Sequence, residues 1–394
     1  MIKPAIVAVG YNRPSGMKRL LDSIGRAHYE SSDITLIISI DESTESNLVE
    51  EVAKAFQWSH GPKIIRRFPE RQGLRKHIIQ CGDFSEQYGS VIILEDDLVV
   101  AEDFYSYVCR AHEIYGKDDR ICGISLYTYR SNVFTHFSFE PMRTPNDVFL
   151  GGMVVTWGQS WNAHQWSKFR KWYFQHEDKL PEINRSIPQD ISSWTRSWGR
   201  YFASYMADQN LFYVYPYIAR STCFSDFGEH NKSGIPFTFV QVPLMYGIPN
   251  RYEMASFDEL VKYDSFFDRI LDDTISISGI PGSEICIDLN NMKTETNKRY
   301  VLSNSKLPLS VISTFGMTLR PLSLNAICNI DGNQLFLYKM NENTTLIRKW
   351  SKRRPVYYSS FRRLKYEYSD ASWRKLIRYA PMELFSRLKD LITK

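Results

Sequence analysis

The run Val91-Ile-Ile-Leu-Glu-Asp-Asp-Leu-Val-Val-Ala-Glu-Asp-Phe104 constrains this chain more than any other segment. Its apolar start stops abruptly on Glu95, Asp96 and Asp97, and a helical pattern is expected within a few residues. An unbroken apolar run of that kind suits a strand buried on both faces, as in a parallel sheet. Open sheets of this type bind ligands outside the carboxyl ends of their strands. Three adjacent carboxylates repel one another unless something positive sits among them. A hard divalent cation shared with a phosphate supplies that charge economically. A solvated acidic turn is the bland alternative.

The residues upstream give the run its context. Ala5-Ile-Val-Ala-Val9 reads as a short buried strand leading through Gly10-Tyr-Asn-Arg-Pro14 into a helix with Met17, Leu20, Leu21 and Ile24 on one face. A second strand over 34–40 ends in Asp41, and Val49, Val52, Ala53 and Phe56 mark a helix. A third strand is expected over 63–67 and a helix over about 74–88. Strand and helix patterns alternating at this spacing predict βαβ units and a mostly parallel sheet. Asn12 and Arg13, Asp41, and the three acids from Glu95 to Asp97 then belong to strand tips along one sheet edge.

At this point the chain resembles a GT-A glycosyltransferase, closest to N-acetylglucosaminyltransferase I and its bacterial relatives in capsule and lipopolysaccharide synthesis. The residues that carry the resemblance are Val9-Gly-Tyr-Asn-Arg13, Ser39-Ile-Asp41, the 94–104 acidic segment, Thr156-Trp-Gly-Gln-Ser-Trp161, Val214-Tyr-Pro216 and Gly228-Glu-His230, spread over about 1–235. The resemblance implies that Arg13 and Asp41 contact a nucleotide and that Asp97 is the protein's direct ligand to Mn²⁺ or Mg²⁺. It places Asp96 toward the ribose or sugar and Glu95 in the same nucleotide-binding set. His230 occupies a place that in the bacterial relatives lies near the diphosphate or metal, though a lone His is often only a satisfied or surface residue. Relatives carry the catalytic base beside paired tryptophans, and here that place reads Asp190-Ile-Ser-Ser-Trp-Thr-Arg-Ser-Trp198. The Asp expected beside the first Trp is replaced by Thr195, so Asp190 is taken as the base, with Asp208 as the alternative. Trp157 and Trp194 are expected at the acceptor site.

Sugar transfer needs the departing diphosphate neutralised, a base for the acceptor hydroxyl, and water kept out. A metal at Asp97 would meet the first need. Arg75, in Arg71-Gln-Gly-Leu-Arg-Lys-His77, lies at an expected helix start whose amides suit phosphate; a solvated helix face explains it as well. Trp198, Tyr201, Phe202, Tyr205 and Met206 recur at helical spacing and read as core.

Length and composition agree with a soluble globular protein with ample core: 394 residues, 43% hydrophobic, 24% charged. Six scattered cysteines without Cys-x-x-Cys spacing read as reduced thiols. Neither a signal peptide nor a spanning segment is visible, which points to a cytoplasmic, bacterial protein. Charge is uneven. Residues 350–394 hold 12 Lys/Arg against 4 Asp/Glu, interleaved with rings and ending in Leu384, Phe385, Leu388 and Leu391 on one helical face. That tail suits an anionic membrane surface, or else packs on the domain; no nucleic-acid module is visible.

The chain therefore reads as an α/β GT-A domain (1–235), a smaller α+β accessory region of short strands (236–349) and a basic amphipathic tail (350–394). The expected activity is a metal-dependent, inverting transfer from a UDP-sugar to a glycan or lipid-linked acceptor in bacterial surface polysaccharide synthesis. A non-catalytic sugar-nucleotide-binding protein stays open because of Thr195. A nucleotidyltransferase would normally show a Gly-rich basic phosphate loop after the first strand, which Gly10-Tyr-Asn-Arg-Pro14 is not.

Overall fold

All six residues of β1 (Ala5–Gly10) are buried, as a strand of small and β-branched residues inside a parallel sheet must be. The computed structural model describes residues 2–135, 137–224, 240–341 and 346. After β1 come α1 (Pro14–Arg26), β2 (Leu36–Ile40), α2 (Ser46–Ala55), β3 (Lys63–Arg67), α3 (Leu74–Gly82), α4 (Phe84–Tyr88), β4 (Ser90–Glu95) and β5 (Leu98–Val100). Then follow α5 (Phe104–Tyr115), β6 (Ile121–Ser125), β7 (Val148–Gly151), β8 (Gln159–Asn162), α6 (Ala163–Phe174), α7 (Trp198–Gln209), β9 (Phe212–Pro216) and β10 (Ser221–Cys223). Short hairpin strands β11 (Lys262–Tyr263), β12 (Arg269–Ile270), β13 (Ser276–Ile277) and β14 (Ile280–Pro281) lead to β15 (Ile285–Asp288), β16 (Tyr300–Ser303), β17 (Ser310–Phe315), α8 (Leu324–Ile327) and β18 (Leu335–Lys339).

The main sheet has ten strands in the order β12-β11-β7-β9-β6-β8-β4-β1-β2-β3. β1 lies parallel between β2 and β4, and β3 extends the parallel half. β8, β7 and β11 run against the others, so the far half is mixed. The fold is thus α/β with a large, mostly parallel sheet flanked by helices. On one face Ile6, Ala8, Ile38, Ile92 and Leu94 pack under Met17, Leu20, Val49 and Val108 of the covering helices. The other face is an aromatic layer. Trp161 on β8 lies 4.6 Å from Trp166 and 5.6 Å from Trp198, ring centre to ring centre, and its indole N–H donates to Tyr213 Oη at 2.9 Å.

Three sequence expectations shift. The second strand begins at Leu36 rather than 34, because Asp33 takes a left-handed φ of 69° and Ile34 donates to His60 instead of entering the ladder. The helix expected over 74–88 breaks at Asp83 into α3 and α4. After Asp97 the chain first makes β5, paired antiparallel with β10, and α5 starts only at Phe104.

In the 236–349 region, strands β15 to β18 form a four-stranded sheet over a core of Ile287, Leu302, Phe315 and Leu337. Lys293, nearly buried, joins it to the β11–β12 hairpin through Asp264 at 2.6 Å and Asp268 at 3.3 Å. By its contacts the chain falls into two units, Met1–Arg130 with Glu140–Ile347, and Ser131–Phe139 with Arg348–Lys394. Of the second, the described part is a short bridge between Ser131 and Ser138. The basic tail over 350–394 lies outside the described residues. Among the described residues no helix is long and apolar enough to cross a membrane.

Gly16 lets α1 close onto the acidic turn, since a Cβ there would stand 2.5 Å from the Asp96 carbonyl oxygen. Gly16→Ala should therefore destabilise the protein by about 1–3 kcal/mol, as overpacking does. Urea unfolding checks this: an unchanged midpoint would show that the helix has room to move.

Candidate active site

β1, β2 and β4 are adjacent and in register, with Val9 opposite both Ser39 and Glu95, so the chain leaving each strand does so at one edge. The tips meet there as the alternating pattern requires. Arg13, Asp41, Glu95 and Asp96 line a single pocket, partly open to solvent.

Arg13 is the hub of its acidic side. Pro14 opens α1 and leaves Arg13 at the helix cap, where its guanidinium pairs with Asp96 and lies 3.3 Å from Asp97. Asp96 Oδ2 also accepts from the Tyr11 amide at 3.3 Å. Burial works against the Arg13 charge, yet Asp96, Asp97 and Glu95 together hold its pKa above the ordinary value. Burial raises Asp96 to about 6 even though Arg13 pulls the other way. Glu95 is pushed well above the usual carboxylate range, first by burial and then by Asp97 and Asp96. The turn carries more negative charge than Arg13 neutralises, and Asp97 is part-exposed, at 21%, where Asp96 is buried.

The opposite wall is organised by Asp41, which is 3% exposed. Its carboxylate accepts from the amides of Gln72 at 2.7 Å, Gly73 at 2.9 Å and its neighbour Glu42 at 2.9 Å. Asp41 therefore shapes the loop that opens α3, and Gly73 at φ 77° supplies the left-handed turn that loop needs. Arg71, from the same loop, stands 4.9 Å over the Tyr11 ring. His77, one turn into α3, completes the wall. Tyr11, Arg71 and His77 join the wall beside the expected residues, and the sequence signal for His77 is its spacing from Gly73, one helical turn along.

Other expected residues lie elsewhere. Arg75 is not part of the pocket wall; its guanidinium donates to Tyr201 Oη and lies over that ring, bracing α3 on α7. Trp157, half-buried, packs on Tyr127 and Tyr129 at 4.9 and 5.8 Å. Asp190 sits exposed on a single 3-10 turn, Gln189–Ser193, that leads to Trp194. Trp194 lies by the first turn of α7 and Thr156, since a Cβ on Gly199 would be 3.7 Å from its ring and 3.4 Å from Thr156. Asp208 accepts from the Trp172 indole at 3.1 Å at the last turn of α7, which feeds the start of β9. β9 runs in the same sense as β4, so Asp208 lies at the amino edge of the sheet, away from the acidic turn. His230 lies outside the described residues.

Whether a divalent ion fits can be judged from the donor set. Among the described residues no three His, Cys, Asp or Glu side chains form a metal cluster. One part-exposed carboxylate beside two charge-strained ones matches the habit of Mg²⁺, which takes one or two protein oxygens and completes its shell with water and phosphate. The Asp97 carbonyl accepts from the amide of Phe224 at 2.8 Å, the last residue described before 225–239.

No protein-family model and no curated protein sequence matches this chain. Solved structures show partial likenesses. S. aureus TarS 1–349 in complex with UDP-GlcNAc is 10% identical over 59% of this chain and 62% of its own, with a TM-score of 0.38. GalNAc-T7 with UDP, GalNAc and Mn²⁺ is 11% identical over 56% and 43%, at 0.40. A cytidylyltransferase from Leptospira borgpetersenii is 8% identical over 43% and 65%, at 0.27. This chain thus covers less than two thirds of each.

Proposed function

We propose that the chain is a GT-A-type glycosyltransferase that takes a sugar from a nucleotide diphosphate with the help of Mn²⁺ or Mg²⁺. The observation that carries this reading is Arg13 clasped between Asp96 and Asp97 at the carboxyl edge of a parallel sheet, facing the Asp41 wall across one pocket. Such a pocket offers a cation for phosphate and a carboxylate for a nucleoside N–H or hydroxyl, and Asp97, 3.3 Å from Arg13, would anchor a hard ion beside it. An ion bound at Asp97 would offset the charge growing on the leaving diphosphate.

The chain's own groups divide the remaining work. Arg13 holds the diphosphate end, and the 71–73 loop closes over the nucleoside. In this reading Asp190, exposed on the turn that leads to Trp194, serves as the base. The acceptor oxygen bonds to the anomeric carbon, the bond to the diphosphate breaks with its electron pair, and the hydroxyl proton passes to the Asp190 carboxylate. Attack from the face opposite the diphosphate inverts the sugar. A UDP-linked donor and a glycan or lipid-linked acceptor of a bacterial surface polysaccharide complete the proposal, with the basic 350–394 tail on an anionic membrane. Thr195 beside Trp194 favours a second reading, a sugar-nucleotide-binding protein without turnover. Binding without product would select it.

Asp41→Ala tests the nucleoside wall. It removes a charged acceptor and two amide contacts of the loop, each worth about 1.5–3 kcal/mol. UDP affinity measured by calorimetry should fall at least about tenfold, with some loss of stability because the loop loses its anchor. Equal affinity in mutant and parent would remove Asp41 from the donor site.

A further inference from the structure

Beneath the nucleoside wall, a count of hydrogens decides which nitrogen of His77 carries the proton. Ser39 on β2 and Arg66 on β3 are register partners, and His77 on α3 packs against them. Arg66 donates twice to Ser39 Oγ, from Nε at 3.0 Å and from Nη2 at 2.8 Å. A serine hydroxyl has two acceptor lone pairs and one proton, and a guanidinium only donates. Both lone pairs are therefore filled, and of the two acceptors within reach of the Ser39 proton, Cys81 Sγ and His77 Nε2, the ring nitrogen 2.6 Å away is the stronger and takes it. Nε2 as acceptor leaves the proton of a neutral imidazole on Nδ1.

The surroundings hold this arrangement in place. The Arg66 guanidinium lies 4.7 Å from the Phe68 ring and 4.6 Å from the Phe84 ring, and Nη2 also donates to Cys81 Sγ at 3.1 Å. Ser39, His77 and Cys81 are fully buried or nearly so. Burial, then the Arg66 charge, lower His77 to about 4, with Asp41 opposing, so the ring is neutral at neutral pH. Burial raises the Cys81 thiol to about 11, which keeps a competing thiolate away from Ser39.

We propose that Arg66 and Ser39 are positioning residues that lock His77 as its Nδ1–H tautomer, giving the pocket wall a neutral hydrogen-bond donor for the nucleoside part of the ligand. This rests on the nucleotide reading of the same pocket. A neutral donor beside the Asp41 carboxylate suits a carbonyl or hydroxyl oxygen and disfavours an anionic phosphate.

The test uses the full chain labelled with ¹⁵N in its histidine rings, His77 being assigned by the signals lost in His77→Gln. Long-range ¹H–¹⁵N spectra should show an Nδ1–H ring in the parent. They should show a shift toward Nε2–H in Ser39→Ala and in Arg66→Met, which keeps the packing on Phe68 and Phe84. Ser39→Thr, retaining the hydroxyl, should keep the parent tautomer. Calorimetry with UMP and UDP should show each of the two disabling variants losing about tenfold in affinity, the size of one hydrogen bond, by the same factor for both ligands. An Nε2–H ring in the parent, or variants with parental tautomer and affinity, would overturn the lock. A loss confined to UDP would put His77 on the phosphates and overturn the nucleoside assignment. A parent that binds neither nucleotide would overturn the function proposed above and the ligand half of this inference, while the ring spectrum still decides the lock.

Discussion

Asp97→Ala is expected to lower turnover at least about a hundredfold while leaving the protein folded. The size follows from what is lost at the leaving group, where removing one preorganised electrostatic contact typically costs two to three orders of magnitude. Folding should survive because Asp97 is part-exposed, at 21%, and Arg13 keeps its closer partner, Asp96. Its removal also relieves Glu95, whose pKa Asp97 helps to raise. Steady-state rates with and without EDTA check the point. Near-normal, EDTA-sensitive turnover in the mutant would move the metal to another residue.

Asp190→Asn carries the second large effect. The amide keeps the shape of the side chain and cannot take a proton, so donor binding should persist while transfer falls by roughly 10²–10⁴. Because Asp190 is exposed on a 3-10 turn, the stability cost should be small. Normal transfer by this variant would leave the base unassigned on the described residues, since Asp208 lies at the opposite edge of the sheet.

The sequence announced the acidic edge plainly because the signal there is local. An apolar run of four or more residues that stops on polar ones, among alternating helical patterns, reads as a buried strand, and the polar residues directly after it sit at its tip. Arg13, Asp41, Glu95, Asp96 and Asp97 were legible for that reason. What the residues could not show was how side chains turn once the strands are placed. Asp41 was expected to face a ligand, and it also grips the backbone of a loop thirty residues away in sequence. Arg75 looked like a phosphate contact by its position at a helix start, and its partner Tyr201 comes from a helix that pattern alone cannot dock on α3. β5 escaped because Leu98-Val-Val100 pairs with β10 more than a hundred residues later, and three residues give no period. The mixed half of the sheet was likewise illegible, since strand direction depends on crossovers that hydrophobic spacing does not encode.

The central claim is that the pocket between Arg13 and Asp41 holds a nucleotide-sugar whose sugar is transferred. The most direct measurement offers the full-length protein a panel of nucleotide-sugars with Mn²⁺ and quantifies the nucleotide diphosphate released, with Asp97→Ala and Asp41→Ala run beside it. Release is expected from at least one donor, UDP-linked first among them, abolished by EDTA and reduced by both substitutions. No release from any donor, together with no UDP binding by calorimetry in the presence of Mn²⁺, would contradict it.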